Sequence, residues 1–260
     1  MTKAGPRDAA PSGGVQSVSR VLDLLEVVAG AGGEMALSAI AATSGVPLPT
    51  VYRLARTLVD RGYMRQLPNR RYALGSRLIP LGEVAGAMLG TWARPCLERL
   101  VAELGESANL AALDGDRAVY VGQVPSTHSM RMFTEVGRRV RLHPTGVGKA
   151  ILSLLPDDEV RGLMSRAGMP AQTSHTLTDA DDLVAALHRI RREGYAVDEQ
   201  EQELGVRCVA VPIVGASSRM AVSVSGPAGR MTAELVERAI PLLGEASRVL
   251  SAELAERPSA

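Results

Sequence analysis

The 260-residue sequence predicts an α+β protein in two parts: a small N-terminal unit of helices with a basic hairpin, then a larger mixed domain. Three observations predict this. Apolar residues recur at helical spacing from Val18 to Val59, with glycines separating the runs. Two short arginine-containing runs then flank Pro68-Asn69, as in a hairpin. After Gly105 the alternation changes to period two, gives way to helical runs, and returns to period two after Gly194.

Taken in order, residues 1–14 (MTKAGPRDAAPSGG) lack the apolar core of a signal peptide and read as a disordered tail. Ser17 is placed to cap a first helix, in which Val18, Val21, Leu22, Leu25 and Val28 share one side. Gly30 and Gly32-Gly33 end it. Ser38 is placed to cap a second helix, with Ile40, Ala41 and Ala42 able to face a core. Gly45 can adopt the positive φ of a sharp turn between helices, and Pro49 suits the first turn of a third helix at about 49–61. There Val51, Leu54, Leu58 and Val59 form the inner side, which leaves Thr50, Arg53, Arg56 and Thr57 outside. Tyr52 faces either outward or the first helix. Behind Gly62, residues 63–66 and 70–74 form two strands. Three helices and a hairpin make a winged helix at 15–77, with its helix-turn-helix at about 37–61 and its wing at about 62–74. The DNA contacts expected of it are Ser38, Thr50, Tyr52, Arg53, Arg56, Arg70 and Arg71.

The second part runs over 78–256. A linker helix at 76–92 and a helix at 94–104 open it, with Pro95 between them. Strands are expected at 107–113, 117–124 and 129–136, with Asp114-Gly115-Asp116 as a turn. Helices follow from near Gly148, at 157–166 and at 179–193, the last with Thr178 and Asp181 placed as a capping box. Strands at 195–198, 206–214 and 219–225 precede a closing helix at 232–255. No internal repeat is visible.

Composition narrows the classes of function. No run approaches the ~18 apolar residues of a membrane span, so no membrane partner is expected. Two cysteines, Cys96 and Cys208, do not suggest a disulfide framework, and the expected location is cytoplasmic. Net charge is +1, but residues 1–77 hold ten Lys/Arg against five Asp/Glu and the remainder holds 19 against 23. A basic N-terminal unit can meet phosphates while an acidic second part stays off them.

Enzyme chemistry is sparse. Gly146-Val147-Gly148-Lys149 lacks the leading glycine and trailing Ser/Thr of a phosphate loop, holding His143 and Ala150 there instead. No G-x-S-x-G occurs, and His128, His143, His175 and His188 show no metal-ligand spacing, so neither a catalytic residue nor a metal or cofactor is expected. Asp157-Asp158 and Asp179, Asp181 and Asp182 sit where helices begin, which capping and the helix dipole explain. Thr145–Lys149 reads in two ways: glycines opening a helix can hold a small carboxylate on free N–H groups, or can simply satisfy a tight turn. Cys208 sits in an apolar run, where a buried structural cysteine is the default. Ser223 and Ser225 alternate with Val222 and Val224, so both hydroxyls share a face that lines solvent or a polar cavity. Asp198, ending a short strand, faces the same alternatives.

Several blocks together resemble the IclR family of bacterial transcriptional regulators. They are Gln16–Arg20, Thr50–Leu54 and Leu58–Tyr63 in the first part, and Leu142–Ala150, Gly194–Asp198, Gly205–Ala210 and Ser223–Pro227 in the second. The likeness spans about residues 15–255, and blocks in this order are far more specific than any one of them. The resemblance implies a winged helix-turn-helix joined by a linker helix to a GAF-like effector-binding domain. It implies a homodimer or homotetramer on a palindromic double-stranded DNA operator, responding to a small organic acid. Carried over block by block, the effector site uses Gly146 and Val147 N–H groups, Asp198, Cys208, Ser223 and Ser225, with Met132 and Val206 as apolar walls. An anionic ligand then needs Asp198 protonated or accepting from the ligand. Gln123–Lys149 is also similar to family members that govern allantoin and purine breakdown, which implies glyoxylate or allantoate as ligand. Two positions depart from the family pattern: Leu48-Pro49 stands where a polar or basic residue and Ser are common, and Leu204 replaces a proline. The expected function is a ligand-responsive repressor. The alternative is a small enzyme domain using Cys208, with the N-terminal part serving autoregulation.

Overall fold

The computed structural model describes residues 15–89, 91–131, 134–215 and 219–255, with main chain alone at 85–89 and 91. The chain divides into two units between Ala85 and Gly86.

In the first unit, α1 (Gln16–Gly30), β1 (Glu34–Met35), α2 (Leu37–Ser44), α3 (Leu48–Asp60), β2 (Met64–Gln66) and β3 (Tyr72–Leu74) share one core. Leu24, Ile40, Val51, Ala55 and Leu58 meet there with Met64 and Tyr72. The strands form an antiparallel sheet in the order β1-β3-β2, with Met64 opposite Leu74 and Gln66 opposite Tyr72. β1 is two residues long, too short for period two to reveal in the sequence. Gly45 ends α2 at φ 69°, its N–H donating to the Ala41 carbonyl at 3.0 Å, as the turn between helices requires.

Neither serine expected as a cap is one. α1 starts from Val15, whose carbonyl accepts from Val18 N–H at 2.9 Å, so Ser17 lies inside the first turn. α2 starts from Ala36, and Ser38 is an exposed first-turn residue. A capping side chain must come from an extended residue just before the helix, and here those are Val15 and Ala36.

α4 (Leu78–Leu89) runs across the division between the units. In the second unit, Pro95 lies in the first turn of α5 (Arg94–Leu104), where a missing N–H costs nothing. β4 (Ser107–Asp114), β5 (Arg117–Val124) and β6 (Arg139–Arg141) come next, then α6 (Gly146–Leu152), α7 (Asp157–Ala167) and α8 (Ala180–Glu193). β7 (Ala196–Glu199), β8 (Val206–Ile213), β9 (Met220–Pro227) and α9 (Ala233–Ala255) complete it. All six strands join one antiparallel sheet in the order β6-β5-β4-β9-β8-β7. One face presents Leu110, Val209, Val211, Val222 and Val224 to α5 and α9. The other presents Ala111, Ala210 and Ala221 to α6, α7 and α8.

The strand expected at 129–136 is not found among the described residues. Its main chain is spoken for: Met130 O accepts from Arg230 at 2.9 Å, and Glu135 O accepts from Arg138 N–H in a turn. The third strand of that run is instead β6, pairing Arg117 with Arg141. The cap of α8 is Asp179, whose carboxylate accepts from Asp181 and Asp182 N–H at 2.7 and 3.2 Å, rather than Thr178. Among the described residues no helix is long and apolar enough to cross a membrane.

Candidate DNA-reading helix and effector pocket

In α3 the inner positions Val51, Ala55 and Leu58 are buried, which turns Tyr52, Arg53, Arg56 and Thr57 outward and leaves Thr50 half-buried. Tyr52 is 50% exposed and so belongs to the outer side. Thr57 Oγ1 donates back to the Arg53 carbonyl at 3.1 Å. Ser17 borders the same shallow concavity as Thr50 and Arg53. At the wing, Arg70 occupies the turn at φ 62°, between Asn69 and Arg71, with its side chain exposed. Arg71 is engaged within the unit: its guanidinium pairs with the Glu34 carboxylate at 3.2 Å and donates to the Glu34 carbonyl at 3.0 Å. Arg53, Arg56 and Arg70 thus stand outward, while Arg71 also ties the wing to β1.

The second site is built by strand register. Asp198 lies opposite Cys208, Cys208 opposite Ser225, and Ser223 opposite Asn109, so these side chains share the face toward α6. Against them comes the start of α6. Thr145 caps it by accepting from Gly148 N–H at 3.1 Å, and Gly146 packs on Cys208. A Cβ at Gly146 would lie 2.9 Å from Cys208 Sγ, and one at Gly148 would lie 2.1 Å from the Leu142 carbonyl oxygen. Close approach therefore demands both glycines, and the small side chains of the alanine face permit it. The first-turn N–H groups of Gly146 and Val147 lie outside the helix's own ladder, and Val147 N–H points at the Cys208 sulfur.

Asp198, Cys208, Ser223 and Ser225 are all buried, as are Gly146 and Val147, while Val206 is half-buried. Met132 lies outside the described residues. Leu204 is 62% exposed, before Gly205 at φ 81°. Asp198 accepts from Glu201 N–H at 2.7 Å and Gln202 N–H at 3.3 Å, yet burial pushes its carboxyl up to about 7. Burial pushes the Cys208 thiol up to about 12, and the Asp198 charge adds to this. A thiol held so high stays protonated at neutral pH and is a poor nucleophile. Beside them Lys149 and Glu201 form a buried ion pair.

Two residues missed in the sequence belong here. Tyr120 is buried, its hydroxyl pushed well up by burial and by the neighbouring Cys208. Asn109 is 1% exposed, and its Nδ2 donates to Ser225 Oγ at 3.1 Å. An amide in the middle of the buried run Ser107–Ala112 was the available signal, because an apolar strand rarely carries one without a partner. Four buried polar atoms around these residues have no hydrogen-bond partner: Asn109 Oδ1, Ser223 Oγ, Glu201 Oε2 and Gln202 Oε1. Leaving such an atom unmatched costs about 1–3 kcal/mol.

A winged helix with an outward arginine face, joined to a domain with a buried polar patch under a glycine-led helix, defines a DNA-binding regulator with a small-molecule sensor. Comparison with known proteins agrees. The IclR helix-turn-helix domain matches residues 17–68, and the bacterial transcriptional regulator IclR C-terminal domain matches residues 84–252. The chain belongs to the IclR family of transcriptional regulators and is not an enzyme. It is 35% identical to the transcriptional repressor IclR of Escherichia coli K12, over 86% of this chain and 85% of the relative. It is 34% identical to the HTH-type transcriptional regulator BhcR of Paracoccus denitrificans, over 99% and 94%. A crystal structure of a transcriptional regulator from Rhodococcus sp. RHA1 is similar at TM-score 0.78 and 32% identity, covering 93% of this chain and 99% of that one.

Proposed function

We propose that this chain is a repressor whose operator affinity is set by a small organic acid held between Gly146-Val147 and the side chains of Asp198, Cys208, Ser223 and Ser225. The observation that carries the reading is the register of β7, β8 and β9, which gathers an acid, a thiol and two hydroxyls under the first turn of α6. N–H groups at a helix start and serine hydroxyls suit a carboxylate. Asp198, held near neutrality, can stand beside that anion in its protonated form. Val206 and Met132 serve as apolar walls. Glyoxylate or allantoate is the acid under this reading, as in regulators of allantoin and purine breakdown, and the short side chains of the site support a small ligand. Repression is supported by the relatives, which include the acetate operon repressor of Salmonella typhimurium at 36% identity.

The DNA side of the proposal uses Thr50, Tyr52, Arg53 and Arg56 in the major groove, Ser38 near the helix start, and Arg70 and Arg71 on phosphates. A homodimer or homotetramer on a palindromic operator is supported by apolar side chains exposed within the first unit: Val18 and Leu22 on α1, Ile79 and Val84 on α4.

Thermal melts of the full chain with glyoxylate or allantoate test the sensor, since a true ligand raises the midpoint with concentration. Ser225→Ala should lose that rise and keep operator affinity. Arg53→Ala should cost about 1–3 kcal/mol at one operator position, whereas Arg70→Ala should weaken all sequences alike and lower the salt slope by about one. Unchanged operator binding in both arginine variants would refute this DNA surface.

A further inference from the structure

Asn109 and Ser223 face each other across β4 and β9, each 1% exposed. The Asn109 carboxamide is oriented by its Nδ2, which donates to Ser225 Oγ, so Oδ1 is left as an acceptor with no partner. Ser223 Oγ likewise makes no hydrogen bond of normal geometry, although the Cys208 sulfur lies close by. Nearby, Glu201 Oε2 and Gln202 Oε1 follow the Asp198-capped turn and are also unmatched. The carbonyl oxygens of Asn109 and Gln202 have no proton to give, and Ser223 Oγ can accept as readily as donate.

A plain carboxylate brings only acceptors to this place. It can be met by the Gly146 and Val147 N–H groups and by a serine proton, but it leaves Asn109 Oδ1 where it was. We infer that the pocket selects acids bearing a hydroxyl close to the carboxylate, with Asn109 as the residue that makes the distinction by accepting from that hydroxyl. The class comprises short hydroxy acids and 2-oxo acids in their hydrated, gem-diol form. The inference rests on the acid-pocket reading above and adds the donor requirement to it. Ser225 then has two tasks, orienting the amide and meeting the ligand, whereas Asn109 has the single task of telling a hydroxylated acid from its deoxy counterpart.

Calorimetric titration of the full chain with two matched pairs, glycolate against acetate and lactate against propionate, tests this. The hydroxylated member should bind about tenfold tighter, the effect of one hydrogen bond gained against a buried acceptor. Asn109→Leu, close in volume and without the amide, should bring the ratio within each pair to about one, whatever the shift it causes in both members through Ser225. Ser225→Ala should weaken both members of each pair. Equal affinities within the pairs in the unaltered chain, or a ratio that persists in Asn109→Leu, would overturn the donor requirement and leave the acid pocket standing. Absence of binding by all four acids would overturn the donor requirement, and with glyoxylate and allantoate also failing to raise the melting midpoint it would overturn the acid pocket too. Operator binding and circular dichroism report whether Asn109→Leu folds. Should it not, Asn109→Ala is titrated in its place, and the ratio in the unaltered chain decides on its own.

Discussion

The two faces of the six-stranded sheet are made from the same strands and do opposite work. Toward α5 and α9, Leu110, Val211, Val222 and Val224 fill a continuous apolar layer. Toward α6, the same strands show Ala111, Ala210 and Ala221, then Asn109, Cys208, Ser223 and Ser225. Bulky side chains keep a helix at a distance and supply burial. Small ones bring a helix to backbone contact, and the polar patch next to them is shielded rather than solvated. Apolar burial is concentrated on the first face and buried polar groups on the second.

Removing bulk from the first face should have the largest effect. Leu110→Ala is expected to cost about 2–5 kcal/mol in urea unfolding, with acid and operator affinities unchanged in the folded protein. Adding bulk on the second should also destabilise the fold, and cross over into function. Gly148→Ala sets a methyl against the Leu142 carbonyl, at about 1–3 kcal/mol for overpacking. Calorimetry should also show lost acid binding, because Gly146 and Val147 move with it. If Gly148→Ala unfolds at the unaltered midpoint and binds acids normally, the close-approach account of α6 fails.

The smallest effect is electrostatic and confined to the second face. Asp198 has a folded-state pKa of about 7, above its ordinary value, so the native protein holds a proton there that the unfolded chain has released. Its burial therefore lowers stability as pH rises from about 4 to 7, the reverse of a salt-bridged aspartate. Acid affinity should fall about tenfold from pH 6 to pH 8 as this proton leaves. Burial first, then the Glu201 N–H, the Lys149 and Glu201 charges and the Gln202 N–H, set where the fall occurs. Asp198→Asn should flatten the profile in the same titration, and a profile that keeps its slope would assign the proton elsewhere.

Much of the DNA-reading unit was legible because α3 follows its apolar period faithfully: Val51 and Leu58 in, Arg53 and Arg56 out. The alternating serines likewise showed their common face in advance. Both serine caps were misread, because main-chain extension at Val15 and Ala36, not side-chain chemistry, sets those helix starts. The strand expected at 129–136 is not found among the described residues, where Arg230, a hundred residues away, donates to the Met130 carbonyl. Asn109 was overlooked for a related reason. Its meaning depends on Ser223 and Ser225 in a strand that follows more than a hundred residues later, and periodicity reports only neighbours.

The contact between α6 and its surroundings has one more consequence. With Gly148 against the Leu142 carbonyl and Gly146 against Cys208, this helix has no slack along its axis. At its first turn two glycines, not side chains that could slide, make the contact with Cys208 and the Leu142 carbonyl. A displacement there would bear directly on strand β8 and on the segment that carries Leu142. Under the acid-pocket proposal the ligand would meet a stiff turn, and a stiff input wastes little of a small molecule's binding energy.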